Sequence, residues 1–322
     1  MTSRHRIFAL LAFSAAPFLV HAQAKDYPNR PITLIVPWTA GGSTDVVMRA
    51  VATAAARKIG QPFVVENKPG VAGTLGPATM AATAKPDGYT IAQVSIPLFR
   101  LPLIQKVTWN PEKDFTYIVN LMGYTYGITA GAQTPFTTWG DVVAYAKKNP
   151  GRLSYGSPGQ STTAHLGMEQ IAALDGIEFV HVPFKSSPES NVALVGGHTD
   201  LQVDGAGWKP IVESGKARLL AVWTDKRTKR WPDVPTLKEL GYPLVIDAPI
   251  GVAGPRGMDP KIAAKLHDAF RAALDDPEVQ RVMADFEMVP NYLGPVEYRK
   301  YLLEQQAREK VLVKRLGLAI EK

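Results

Sequence analysis

Leu34-Ile35-Val36-Pro37-Trp38-Thr39-Ala40-Gly41-Gly42-Ser43-Thr44-Asp45 is the stretch from which the rest of the chain is read. Ile32 to Val36 is an apolar, β-branched run ended by Pro37, the mark of a buried strand. Gly41-Gly42-Ser43-Thr44 is turn chemistry. From Asp45 to Ile59 the spacing predicts a helix, with Val47, Ala50, Val51 and Ala54 on one face and Gly60 as its stop. The order is strand, small-residue turn, helix start. In parallel α/β sheets such turns lie at the carboxyl ends of strands, where ligands bind. A helix start presents unpaired N–H groups and partial positive charge, glycine lets that backbone come close, and hydroxyls add donors.

Moving outward, Phe63-Val64-Val65 reads as a second strand and Gly73 to Ala84 as a helix of small residues. Pro86-Asp87-Gly88 then turns the chain into a third strand, Tyr89 to Val94. This β-α-β-α-β succession predicts a parallel sheet covered by helices. The design recurs: a helix from Thr138 to Lys148, a strand at Leu153-Ser154-Tyr155, a turn Gly156-Ser157-Pro158-Gly159-Gln160, and a helix from about Ser161 to Leu174. Strands at Phe179 to Val182 and Leu219 to Val222 follow. Three helices beginning at Pro260, Pro277 and Pro295 close the chain, with Asp259 placed to cap the first.

At 322 residues, 46% hydrophobic and 20% charged, the chain is long enough for two lobes and is neither disordered nor a multi-span membrane protein. Its first 24 residues stand apart: Arg4 and Arg6, an apolar run from Ile7 to Val20, and Ala22-Gln23-Ala24 form the pattern of a secretory signal peptide cleaved after Ala24. The apolar run is shorter than the roughly 20 residues a spanning helix needs, and Pro17 interrupts it. Without residues 1–24 the chain holds 34 basic and 29 acidic side chains, a net of +5. That mild excess suits small anions. The one dense basic cluster, Lys226 to Arg230, reads as a solvated turn, and no nucleic-acid motif surrounds it. There is no cysteine, which excludes disulfides, thiol nucleophiles, thiolate zinc and iron–sulfur clusters.

No G-x-G-x-x-G, Walker sequence, G-x-S-x-G or H-E-x-x-H occurs, so no cofactor, no metal and no catalytic apparatus is expected. His165 and His181 fall on a helix and on the next strand, close enough to meet, and read as packed histidines rather than ligands. The candidate site therefore lies in the two turns: Trp38, Thr39, Ala40, Gly41, Gly42, Ser43, Thr44 and Asp45 in one, Gly156, Ser157, Ser161 and Thr162 in the other. Asp45 is assigned to shaping its loop, since an acid facing a carboxylate would repel it. Gln93 to Phe99 and Asp204-Gly205-Ala206-Gly207-Trp208 follow strands in the same relation, which adds Asp204 and Trp208. Trp38, Phe99, Phe184 and Trp208 can stack on a flat ligand, or serve as core and rim. Lys185 can pair a distal carboxylate, or lie free on the surface. Either turn alone is equally readable as a capped helix start.

A resemblance enters here. Tyr27-Pro28-Asn29-Arg30-Pro31-Ile32, Val36 to Asp45, Val65-Glu66-Asn67-Lys68-Pro69-Gly70, Pro86 to Thr90, Tyr155-Gly156-Ser157, His165-Leu166, His181-Val182-Pro183-Phe184 and Pro232-Asp233-Val234-Pro235-Thr236 together look like the Bug family. These are periplasmic solute receptors of tripartite tricarboxylate transporters. The resemblance implies a two-lobed α/β fold of the periplasmic-binding-protein type (type II-like, a Venus flytrap), with a mainly parallel sheet in each lobe and a ligand cleft between. It implies a discontinuous first lobe, 25–125 plus 249–322, and a second at 126–248. It implies that the turns Trp38 to Asp45 and Gly156 to Thr162 bind carboxylate. The chain departs from the family at Ala40, at Ser161-Thr162 and at Lys185-Ser186-Ser187. The expectation is a periplasmic protein, not embedded in the membrane, that captures a small carboxylate and delivers it to membrane transporter subunits. A sensor partner using the same fold is the alternative, and a secreted enzyme the remote one.

Overall fold

The computed structural model describes residues 27–246 and 248–320; the signal peptide expected at 1–24 lies outside the described residues. The chain first lays down β1 (Ile32–Val36), α1 (Ser43–Ile59), β2 (Phe63–Asn67), α2 (Leu75–Thr83), β3 (Thr90–Val94), α3 (Pro97–Ile104) and β4 (Phe115–Tyr124). It continues through β5 (Gly127–Gly131), α4 (Trp139–Lys148), β6 (Leu153–Ser157), α5 (Thr163–Asp175), β7 (Phe179–Pro183), α6 (Ser187–Val195), β8 (Leu201–Asp204), α7 (Lys209–Glu213) and β9 (Ala217–Val222). It ends with β10 (Ala248–Pro255), α8 (Pro260–Ala273), α9 (Pro277–Asp285), β11 (Val289–Leu293) and α10 (Pro295–Arg315).

Two sheets result, one with strand order β11-β4-β10-β3-β1-β2 and one with order β7-β6-β8-β5-β9. The chain leaves the first sheet after Tyr124, enters the second at Gly127, and returns between Val222 and Ala248. Each sheet is mixed. β1 pairs in parallel with β2 and β3, and β6 with β7 and β8, as the βαβ pattern predicts. β10 runs antiparallel to β3 and β4, β11 to β4, and β5 to β8 and β9. The expectation of mainly parallel sheets is corrected in this respect. Parallel order follows where a helix carries the chain back over the sheet. β5 and β10 arrive from the other body without such a crossover, and so pair in the opposite sense.

α1 shows how the sequence makes these elements. Val47, Met48, Val51, Ala54 and Ala55 are buried, a stripe at three- and four-residue spacing, and Gly60 ends the helix in the left-handed conformation. α8 mirrors it with Leu266, Ala269, Phe270 and Ala273 buried, and its first turn is held by the Asp259 carboxylate accepting the Lys261 amide at 2.7 Å. The two stripes pack together over the first sheet. One apolar core runs from Ile32 and Val36 through Tyr124, Tyr126 and Ile128 to Leu153 and Leu201. It is continuous across the crossing strands.

Candidate functional site

The turn after β1 and the turn after β6 face each other across a narrow cleft with about 40 Å³ of free internal volume. Trp38, Gly42, Ser43 and Thr44 line it from the first body, with Ser95, Ile96 and Pro97 behind them. Pro158, Thr162 and Thr163 answer from the second body, joined by Ser186, Ser187, Asp204 and Gly205. Tyr124, Tyr126 and Ala248, on the crossing segments, form its floor.

α1 begins without a capping side chain. Gly42 occupies the N-cap position, and its own amide goes to the Thr39 carbonyl at 3.3 Å. The amides of a helix's first turn have no intrahelical acceptor and carry partial positive charge, and the first-turn residues Ser43 and Thr44 line the cavity. The start of α5 is different: the Thr162 hydroxyl accepts the His165 amide at 3.3 Å and donates to the Gly159 carbonyl at 2.7 Å. The Thr44 hydroxyl shares a 2.6 Å hydrogen bond with the Tyr124 phenol. Burial lifts the Tyr124 and Tyr126 phenols above their ordinary range, so both are neutral.

Asp45 shapes the loop from below. Its carboxylate accepts the Gly41 amide at 2.9 Å, the Arg49 guanidinium at 2.9 Å and the Asn67 amide at 2.8 Å. These bonds hold its pKa below the ordinary value against the opposing effect of burial. Asn67 also donates to the Trp38 carbonyl, and the Trp38 indole N–H donates to Gln93 at 3.2 Å, which fixes the aromatic wall.

Several sequence candidates fall elsewhere. Ala40 and Gly41 are exposed on the outer rim, and Gly41 sits at φ +79° with nothing within 4 Å of where a Cβ would be. It therefore serves the turn's shape rather than close approach to a guest. Thr39 stands at the mouth, bonded to Ser186. Gly156 and Ser157 lie beneath the second turn: a Cβ on Gly156 would meet Ser190 Oγ at 2.6 Å, and the Ser157 hydroxyl is taken by His181 Nε2 at 2.7 Å. Ser161 adopts a left-handed φ of 61° and faces an outer groove with Phe184 and Lys185. Trp208 is wholly buried, packed on Trp231 and Leu219, and its indole N–H donates to the Thr125 carbonyl at 2.9 Å. Phe99 is core, stacked on Tyr117. Of the four aromatic candidates only Trp38 lines the cavity.

The sequence reading missed Tyr124, Tyr126, Thr163 and the Ser186-Ser187 pair. Gly123-Tyr124-Thr125-Tyr126-Gly127, two aromatics between glycines where two apolar runs meet, is the signal that marked the crossing. His165 and His181 do meet, with ring centroids 4.1 Å apart. Among the described residues no group of His, Asp and Glu is arranged to hold a metal ion.

Two α/β bodies joined by crossing strands, with a cleft between them lined by the starts of α1 and α5, define a solute-binding protein of the periplasmic-binding-protein fold. The model of the tripartite tricarboxylate transporter family receptor matches residues 47–318, and the chain belongs to that family of receptors, which are not enzymes. A Cupriavidus necator protein, "UPF0065 protein in gbd 5'region", is 48% identical over 311 residues, covering 97% of this chain and 94% of its own. Among solved structures, "periplasmic binding protein BugD" superposes with a TM-score of 0.87 at 29% identity, over 92% of this chain and all of that one. "R. palustris Rpa4515 with adipate" does so at 0.86 and 28%, over 91% and 99%.

Proposed function

We propose that this protein is exported to the periplasm with loss of residues 1–24, captures a small organic carboxylate between its bodies, and delivers it to membrane transporter subunits. The observation that carries the reading is the uncapped start of α1, whose first residues Ser43 and Thr44 line a cavity shared with the start of α5. The adipate bound by one relative and the family's receptor class support it. The lobes would be 25–125 with 249–322, and 126–248. Ligand contact falls to Trp38, Gly42, Ser43, Thr44, Thr162 and Asp204 of the sequence candidates, with Thr163 and Tyr124 added.

The magnitudes suffice. A hydrogen bond to a charged group contributes about 1.5–3 kcal/mol, and a helix terminus about 0.3–2 kcal/mol more. Micromolar affinity needs about 8 kcal/mol, which three or four such donors supply. Ligand that bridges both bodies binds the closed form better than the open one and shifts the population toward it. Thermal unfolding against a panel of carboxylates tests the proposal. A true ligand at one hundred times its Kd stabilises by about 2.7 kcal/mol, and a panel without any shift would overturn the reading.

A further inference from the structure

We infer that Asp204, with Ser95 opposite, selects carboxylates that also carry a hydrogen-bond donor, an ammonium or a hydroxyl group, over plain aliphatic acids. The inference rests on the carboxylate-receptor reading and narrows its ligand class.

It follows from the hydrogen-bond valences of the cavity wall. Most are spent within the protein: Thr44 on Tyr124, Thr162 on Gly159 and His165, Trp38 on Gln93. Two buried polar atoms are not. Ser95 Oγ, from the first body, and Asp204 Oδ2, from the second, have no hydrogen-bond partner, and both residues line the cavity. Buried polar atoms in folded proteins are almost always paired. A pair left open in one cavity, one from each body, marks what a guest must supply.

The two atoms ask for different things. A hydroxyl can donate to a carboxylate oxygen, whereas an ionised carboxylate only accepts. Asp204 is only 3% exposed, and its other oxygen, Oδ1, is fixed by the Gly205 amide at 2.7 Å. A guest bearing carboxylates alone would set like charge against Oδ2, or leave it dry and unpaired. An ammonium or hydroxyl beside the guest's carboxylate completes it. Burial raises the Asp204 carboxyl above the ordinary range even though Ser187 and the Gly205 and Gly207 amides favour its charge.

Titration calorimetry on the intact mature protein tests this with matched triads: propionate, lactate and alanine; succinate, malate and aspartate; glutarate, 2-hydroxyglutarate and glutamate. In at least one triad the hydroxy or amino acid should bind about tenfold or more tightly than the plain acid, because a site built for a donor rejects the analogue that lacks it. Asp204→Asn keeps the shape and removes the charge, and should erase an amino acid's advantage over its matched plain acid. Ser95→Ala should weaken all members of a triad alike. Plain acids binding as tightly as their analogues in every triad, or an amino-acid preference that survives in Asp204→Asn, would overturn the inference and leave the receptor reading intact. Binding of no acid from any triad would overturn both.

Discussion

The hydroxyls of Thr39 and Ser186 meet at 2.5 Å, one on the loop after β1 and the other at the start of α6, so the two bodies are bonded to each other at the mouth of the cavity. A bond between the bodies must break when they separate. Its loss takes nothing from either body's own core. Thr39→Val and Ser186→Ala should each shift the population toward the open form and weaken ligand binding by about 1 kcal/mol, roughly fivefold. The unfolding midpoint of the ligand-free protein should stay nearly constant. Calorimetric affinity beside thermal unfolding separates the two effects, and unchanged affinity would remove this pair from the closing mechanism.

A second bridge is buried. Arg100 on α3 is 1% exposed and donates from Nε and Nη2 to Glu309 on α10 at 2.6 and 2.8 Å, while Nη1 donates to the Ser161 carbonyl at 2.9 Å and Nη2 also reaches the Thr163 hydroxyl at 3.4 Å. Glu309 compensates a charge that would otherwise sit beside the positive start of α5. Removing one partner of a buried pair leaves the other uncompensated, so Glu309→Gln should lower stability by about 3 kcal/mol. Urea unfolding measures this. A loss below about 1 kcal/mol would show that water already solvates the guanidinium.

Ser43 and Thr162 line the same cavity, yet their substitutions should behave differently. Thr162 is the N-cap of α5, its hydroxyl spent on the His165 amide and the Gly159 carbonyl. Thr162→Ala should cost about 1 kcal/mol of stability, as lost caps do. Ser43 caps nothing, since Gly42 holds that position. Ser43→Ala should leave stability within about 0.5 kcal/mol and weaken ligand binding by about 1–2 kcal/mol. Equal stability losses in both variants would contradict this division.

That contrast also explains what the sequence could reveal. The first turn was legible in its order of strand, turn and helix, and Trp38, Gly42, Ser43 and Thr44 do line the cavity, but the helix begins at Ser43, two residues before the expected start, and Ala40 and Gly41 fall outside. In the second turn the same residue types announce a helix, but Ser161 takes a left-handed φ and delays its start to Thr163. The inward side chains therefore shift from Ser157 and Ser161 to Thr162 and Thr163. Tyr124 and Tyr126 reach the floor only because the chain crosses between sheets there, a long-range fact that periodicity does not encode. Antiparallel β10 escaped for the same reason. Its partners β3 and β4 lie more than a hundred residues away.

The stacked histidines under the second turn give the last prediction. His181 accepts or donates at Ser157 and faces Gln160, while His165 takes the Ser161 amide at 3.2 Å and has Glu169 at 3.8 Å. Burial, reinforced by Arg100, lowers the His165 pKa from 6.5 to about 4; burial, reinforced by His165, lowers His181 to about 3. Between those values and 6.5 the unfolded chain binds protons that the folded one refuses, so stability is full above pH 6.5 and falls as pH drops through this window. Asp204, with its raised pKa, acts in the opposite sense, losing stability as pH rises past its unfolded value. Comparing urea unfolding of the native chain with His165→Gln and His181→Gln across the window isolates the histidine contribution. The variants should show a shallower loss on acidification. The Gly159 to Thr162 loop rests on this stack, so ligand affinity should fall over the same range in the native chain. Parallel pH profiles for native and variant proteins would exclude the stack as their cause.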